Sequence, residues 1–163
     1  MPVVSNPSPI SNLAVIGKLD LLRDQFAKIL IPGAVDRELK ALSNPRAKAA
    51  IEAALADGWI EIRPVESQHL SKLLSVRLHD GESEAIAREV ETNASWILLD
   101  EWEARAAAQR MNLKITGILG VLLRAKKKGD IVLPEPVMKQ LRREAHFFIA
   151  PALERHLLEL AGE

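Results

Sequence analysis

Asp100 closes the apolar run Trp96-Ile97-Leu98-Leu99, and Asn6 closes the shorter run Val3-Val4-Ser5. Both are places for ligands, because open α/β sheets bind them outside the carboxyl ends of their strands. Two further groups of acids lie on predicted helices. Glu38 falls about 60° from Val35 and about 40° from Leu42 around a helix, inside the margin of an apolar stripe. A carboxylate there is expensive unless something pairs with it. In Gly81-Glu82-Ser83-Glu84-Ala85-Ile86, Glu82 shares a face with Ile86, whereas Glu84 points more laterally and can pair with Arg88. Carboxylates gathered from several segments suit hard divalent cations such as Mg²⁺ or Mn²⁺. A pair of such ions stabilises the attacking and leaving oxygens when a phosphodiester is displaced in line. At position 6 the chain offers an amide where that chemistry favours a carboxylate.

Each candidate also has a purely structural reading. Glu82 and Glu84 lie in a first helical turn, where acids meet the helix dipole favourably. Asp100 could cap the following helix, with Glu103 closing a capping box. Glu38 could be a surface acid with a basic neighbour, and Asn6-Pro7 ordinary turn chemistry. Arg124, Lys126, Lys127 and Lys128 end one helix and Lys139, Arg142 and Arg143 lie on the next; a solvated face is the simpler reading, an RNA-backbone track the functional one. The three tryptophans read as core and sheet-edge packing rather than base-stacking platforms. His69, His79, His146 and His156 show no ligand spacing, which argues against zinc. Gly117-Ile118-Leu119-Gly120 lacks the Lys and Ser/Thr of a phosphate loop. No nucleophile–histidine pair stands out.

The elements that must position these groups follow from apolar periodicity. Strands are predicted at Val3–Ser5, Ile29–Ile31, Trp59–Ile62, Trp96–Leu99 and Leu113–Ile115, with a possible edge strand at Phe147–Ile149. Helices are predicted from Ser8 or Ser11 onward with a break at Gly17, then at Ala34–Leu42, Pro45–Ala56, Ser67–Leu78, Gly81–Thr92, Glu101–Met111, Gly117–Lys128, Pro136–Ala145 and Pro151–Leu160. Strands alternating with crossover helices predict an α/β fold with a mostly parallel sheet covered on both faces.

A chain of 163 residues with 48% apolar content fits one domain, 1–163, with a real core. It has no cysteine, which suits a reducing cytosol and removes thiolate metal sites. Lysine plus arginine equal aspartate plus glutamate at 22 each, so nucleic-acid affinity must come from local features. The uncharged start has no basic region and is interrupted by Ser, Asn and Pro, so no targeting or membrane segment is expected and the location expected is cytoplasmic.

The ordered motifs Val3–Ile10, Ile31-Pro32-Gly33-Ala34-Val35 with Glu38-Leu39, Gly81–Ile86, Leu98-Leu99-Asp100-Glu101 with Ala104-Arg105, and Thr116–Leu122 resemble a PIN-domain protein across nearly the whole chain. The resemblance is to a prokaryotic branch of nucleic-acid-binding PIN proteins related to VapC toxins. It implies a three-layer α/β/α sandwich around a parallel sheet of about five strands. It further implies a Mg²⁺- or Mn²⁺-dependent single-strand ribonuclease that leaves a 5′-phosphate and a 3′-hydroxyl. Such proteins are commonly the toxin paired with a small antitoxin protein, and a homodimer is expected. By the same resemblance Asn6, Glu38, Asp100 and one or both of Glu82 and Glu84 would be metal ligands and the catalytic acids. Ser8 and Thr116 would orient ligands or water, and Arg105 with Lys126, Lys127 and Lys128 would meet RNA. The departure is Asn6-Pro7-Ser8-Pro9, where relatives carry Asp at the first position. Two expectations follow: a nuclease impaired at Asn6, or an inactive module that binds RNA or an antitoxin.

Overall fold

The short apolar runs alternate sides as a strand must, and this alternation sets the layers. Val3, Ile29, Ile31, Ile60 and Leu98 bury one face of the sheet, while Val4, Leu30, Ile97 and Leu99 bury the other. A computed structural model describes residues 2–162. Its strands are β1 (Val3–Ser5), β2 (Ile29–Ile31), β3 (Ile60–Ile62), β4 (Ile97–Leu98) and β5 (Ile115–Thr116). They form a five-stranded sheet of order β3-β2-β1-β4-β5, and all pairings are parallel.

The helices are α1 (Pro7–Val15), α2 (Asp20–Phe26), α3 (Gly33–Lys40), α4 (Pro45–Ala56), α5 (Gln68–Leu74), α6 (Asp80–Thr92), α7 (Trp102–Arg110), α8 (Ile118–Lys128), α9 (Pro134–Ala145) and α10 (Pro151–Ala161). Leu13, Leu22, Ile51, Leu122 and Leu141 carry α1, α2, α4, α8 and α9 onto the first face. Ala85, Ile86, Ala104 and Ala108 carry α6 and α7 onto the second. The result is the α/β/α layering expected of a parallel sheet. Gly17 takes a positive φ of 70° between α1 and α2, the break its position predicts. No helix of the described residues is long and apolar enough to cross a membrane.

Several boundaries differ from the sequence reading. Phe147–Ile149 is not an edge strand. His146 ends α9 in the left-handed conformation, and the Phe147 amide donates back to the Leu141 carbonyl, so the chain turns before a strand can start. Ile149 then enters the core while Phe148 is exposed, an alternation that imitates a strand. Helix α9 begins at Pro134 rather than Pro136; both prolines fit its first turn, where amides lack helical partners. The last strand is Ile115–Thr116 because the Leu113 amide is spent on the Ala108 carbonyl, closing α7. Helix α5 stops at Leu74, although Leu78 still reaches the second core.

Candidate active site

Strand order creates the site. From β1 the chain proceeds outward through β2 and β3, and β4 and β5 then fill the opposite side. The order therefore reverses between β1 and β4, and the crevice beyond the carboxyl ends of such a pair is where open α/β sheets bind ligands. Asn6 follows β1 and Asp100 follows β4 by two residues. The two ends are held in register by the Val4–Ile97 and Ser5–Leu98 pairings and by the Asn6 amide donating to the Leu98 carbonyl.

Asn6 occupies the N-cap of α1, a position its residue type favours. Its side chain makes no capping bond. It is 1% exposed, and neither Oδ1 nor Nδ2 has a hydrogen-bond partner. Two orphaned buried polar atoms in one amide carry a cost of order 1–3 kcal/mol each. Ordinary turn chemistry does not explain them.

Asp100 does not cap α7. Its Oδ1 accepts the Ile118 amide at 2.9 Å and so caps α8, whose own N-cap, Gly117, has no side chain to do so. The other oxygen, Oδ2, is buried without a partner. Burial pushes the Asp100 carboxyl up to about 6, against the Ile118 amide and the Arg105 charge, which favour the anion. Gly117 permits this arrangement by close approach. A Cβ there would stand 2.5 Å from Asp100 Oδ1 and 3.1 Å from the Leu99 carbonyl. We expect Gly117→Ala to displace the Asp100 carboxylate and to destabilise the protein by about 1–3 kcal/mol, the usual cost of overpacking. Urea denaturation checks this, and an unchanged midpoint refutes it.

The remaining acids arrive from α3 and α6. Glu38 is exposed rather than lodged in the apolar margin; Asp36 is the buried acid of α3, paired with Lys40 at 2.8 Å. Glu38 instead meets the start of α6, where a Cβ on Gly81 would lie 3.0 Å from its Oε1. Glu82 is buried, and its Oε2 accepts the His79 amide at 3.2 Å, so its structural role as a cap is realised. Burial also raises its pKa, and the nearby charges of Glu101 and Glu38 add to the rise. Glu84 lies apart. It accepts the Ala34 amide at 3.3 Å and faces Arg37 at 3.8 Å, tying α6 to the start of α3, while Arg88 pairs with Glu91 at 3.2 Å and not with Glu84.

Glu101 is the acid that sequence reasoning passed over. It stands at the N-cap of α7 without a capping bond, and its Oε1 accepts the Ser8 hydroxyl at 3.2 Å. Two adjacent acids directly after a strand were the available signal. Thr116 is buried, and its Oγ1 accepts from Arg124 Nη2 at 3.0 Å. Arg105 donates to the Leu99 carbonyl at 2.7 Å. These groups edge a cleft of about 800 Å³ whose lining includes Ser8, Asp100, Glu101, Arg105, Thr116 and the α9–α10 connection.

Lys126, Lys127 and Lys128 do not line that cleft. They sit at the far end of α8, where Lys126 donates to the Val132 carbonyl and Lys128 to the Asp24 carbonyl. Lys139 pairs with Glu135 and Arg142 with Glu154. Of the bases singled out for RNA, Arg105 alone lines the cleft.

A family model described as a PIN domain matches residues 2–163. The chain belongs to the PIN-domain family. Comparisons with curated proteins and with solved structures gave no match. The PIN assignment agrees with the parallel five-stranded sheet, and PIN domains typically bind divalent metals. Asn6 Oδ1 and Asp100 Oδ2, both buried oxygens without donors, fit an oxygen-seeking cation. Glu38 and Glu82 bring further carboxylates to the same edge. Position 6 is the weak member, since Asn6 contributes no charge and its orphaned Nδ2 cannot ligate. Among the described residues, no three histidine, cysteine, aspartate or glutamate side chains come together as a metal-binding group.

Proposed function

We propose that this PIN domain is a divalent-metal-dependent single-strand ribonuclease whose activity is attenuated at Asn6. The observation that carries this reading is the pair of orphaned buried oxygens, Asn6 Oδ1 and Asp100 Oδ2, at the switch point between β1 and β4. Asn6 and Asp100 would hold Mg²⁺ or Mn²⁺, with the carboxylates of Glu38 and Glu82 nearby at the same edge adding negative charge. When bound, such an ion neutralises phosphate charge and makes water a stronger nucleophile.

The chain's own groups do the rest. The Ile118 amide holds Asp100 by one oxygen and leaves the other buried without a partner. The His79 amide restrains Glu82 in the same way. Ser8 fixes Glu101 beside them, and Thr116, steadied by Arg124, walls the cleft through which a strand of RNA would enter. Cleavage would leave a 5′-phosphate and a 3′-hydroxyl.

A second reading keeps the fold and the RNA surface without catalysis. It is favoured by the absence, among the described residues, of three converging ligand side chains. Cleavage of a mixed single-stranded RNA pool in Mn²⁺, by the protein and by Asn6→Asp, separates the two. A toxin role, with a small antitoxin protein as partner and a homodimer as the assembly, is proposed from the family alone. Co-purification with the product of an adjacent small reading frame tests it.

A further inference from the structure

The chain has three tryptophans, three phenylalanines and no tyrosine. Its two most exposed aromatic side chains are Phe148 at 82% and Trp102 at 75%, and both line the cleft that holds Asp100 and Glu101. Trp102 is thus not the core or sheet-edge residue its composition suggested, whereas Trp59 is buried. Large rings left in water cost free energy that packing elsewhere would recover. Two of them lining one cleft, one at the start of α7 and one in the α9–α10 connection, call for an occupant.

Electrostatics narrows the choice. Asp100 and Glu101 line the cleft, Glu82 lies close enough to feel Glu101, and Arg105 and His146 are the basic side chains along it. A phosphate backbone gains little from such a wall, and the lysine cluster on α8 lies elsewhere. Affinity for a single strand must therefore come mainly from the faces of the bases, which stack on aromatic side chains irrespective of sequence. A protein partner fits less well, because the centre of a protein-docking face is depleted of charge.

We infer that Trp102 and Phe148 are stacking platforms for the bases of a single-stranded RNA laid across the acidic crevice. The choice of RNA as occupant rests on the ribonuclease reading above; the platforms themselves rest on exposure and position. Arg105, held by the Leu99 carbonyl, is the one guanidinium placed to meet a phosphate between them.

The test is equilibrium binding of a fluorescein-labelled, mixed-sequence single-stranded RNA in EDTA, so that no cleavage intervenes. Trp102→Ala and Phe148→Leu should each weaken binding by about tenfold, within the range for loss of one base stack. Phe148→Tyr, which keeps the ring, should bind as the unchanged protein does. An oligomer of abasic sites should bind as weakly as the variants, and the salt dependence should be shallow because few phosphates are neutralised. Equal affinity for the abasic oligomer, or unchanged binding by Trp102→Ala and Phe148→Leu, overturns the inference. So does a change of oligomeric state in these variants without a change in RNA binding, which assigns the rings to a protein contact. If Asn6→Asp cuts no RNA yet binding depends on the rings, the platforms stand and the ribonuclease reading falls. If Asn6→Asp cuts RNA while binding ignores both rings, the platforms fall alone.

Discussion

On the proposed ribonuclease reading, Asn6→Asp is expected to raise cleavage of single-stranded RNA and to make the protein's stability depend on Mn²⁺. The substitution replaces an orphaned buried donor, Nδ2, by a second carboxylate oxygen beside Asp100. One added unit of negative charge about 4 Å from a divalent cation gains twice the unit-charge attraction of about 1–4 kcal/mol, across high to intermediate dielectric. Desolvation of the new carboxylate offsets part of it, so binding strengthens by roughly 1–4 kcal/mol. That range corresponds to about fivefold to a thousandfold in metal affinity. Cleavage of single-stranded RNA at sub-saturating Mn²⁺ should rise by the same factor. Without metal the sign reverses: two carboxylates in one buried crevice repel, and Asn6→Asp should melt below the unchanged protein. Adding Mn²⁺ should then raise its melting temperature more than that of the unchanged protein, because the stabilisation grows with ligand concentration over Kd. Equal cleavage by both forms would show that the amide is no handicap. If Asn6→Asp gains neither activity nor a Mn²⁺-dependent shift, the crevice is not a metal site.

The strand end before position 6 was legible because its signal is local. A run of β-branched residues ended by Asn-Pro marks a strand terminus, and strand termini in parallel sheets are ligand positions. The same holds for Asp100 after β4, and for the Gly17 break. What the chain did not disclose depends on approach between distant segments. A cap on the helix that follows was one of two readings of Asp100, but it reaches Ile118 instead, across a close approach that Gly117 permits. Glu38 sat near an apolar stripe on a helical wheel, yet α3 turns Asp36 inward and leaves Glu38 facing Gly81. Phe147 and Phe148 have strand-like composition, but a left-handed His146 redirects the chain, and no propensity reports that. Glu101 and Trp102 belong to the same class. An acid and an indole at a helix start are unremarkable until the α9–α10 connection is found lining the same cleft.

A second large effect concerns stability and lies away from the crevice. Glu89, on α6, is 3% exposed, and its Oε2 has no hydrogen-bond partner. Burial alone pushes its carboxyl from an ordinary 4.5 up to about 7. Since the folded state holds the proton more tightly than the unfolded chain, the folded protein binds more protons between those two values. Stability therefore falls as pH rises through that window, is unpenalised below it, and carries the whole cost above it. At 1.36 kcal/mol per unit the cost at alkaline pH is up to about 3 kcal/mol. Glu89→Met keeps helix propensity and side-chain length while removing the charge. It should stabilise the protein by about 2–3 kcal/mol near pH 8.5 and by little near pH 4, where the native carboxyl is already neutral. Glu89→Gln should show the same pH pattern with a smaller gain, because its amide enters a site without partners. Urea midpoints for the three proteins across that pH range decide the matter. A gain equal at both ends would mean that packing, not the buried charge, sets the energy at position 89. Asp100 and Glu82 are also raised by burial and bend the curve the same way, so only the difference between Glu89 variants isolates this carboxyl.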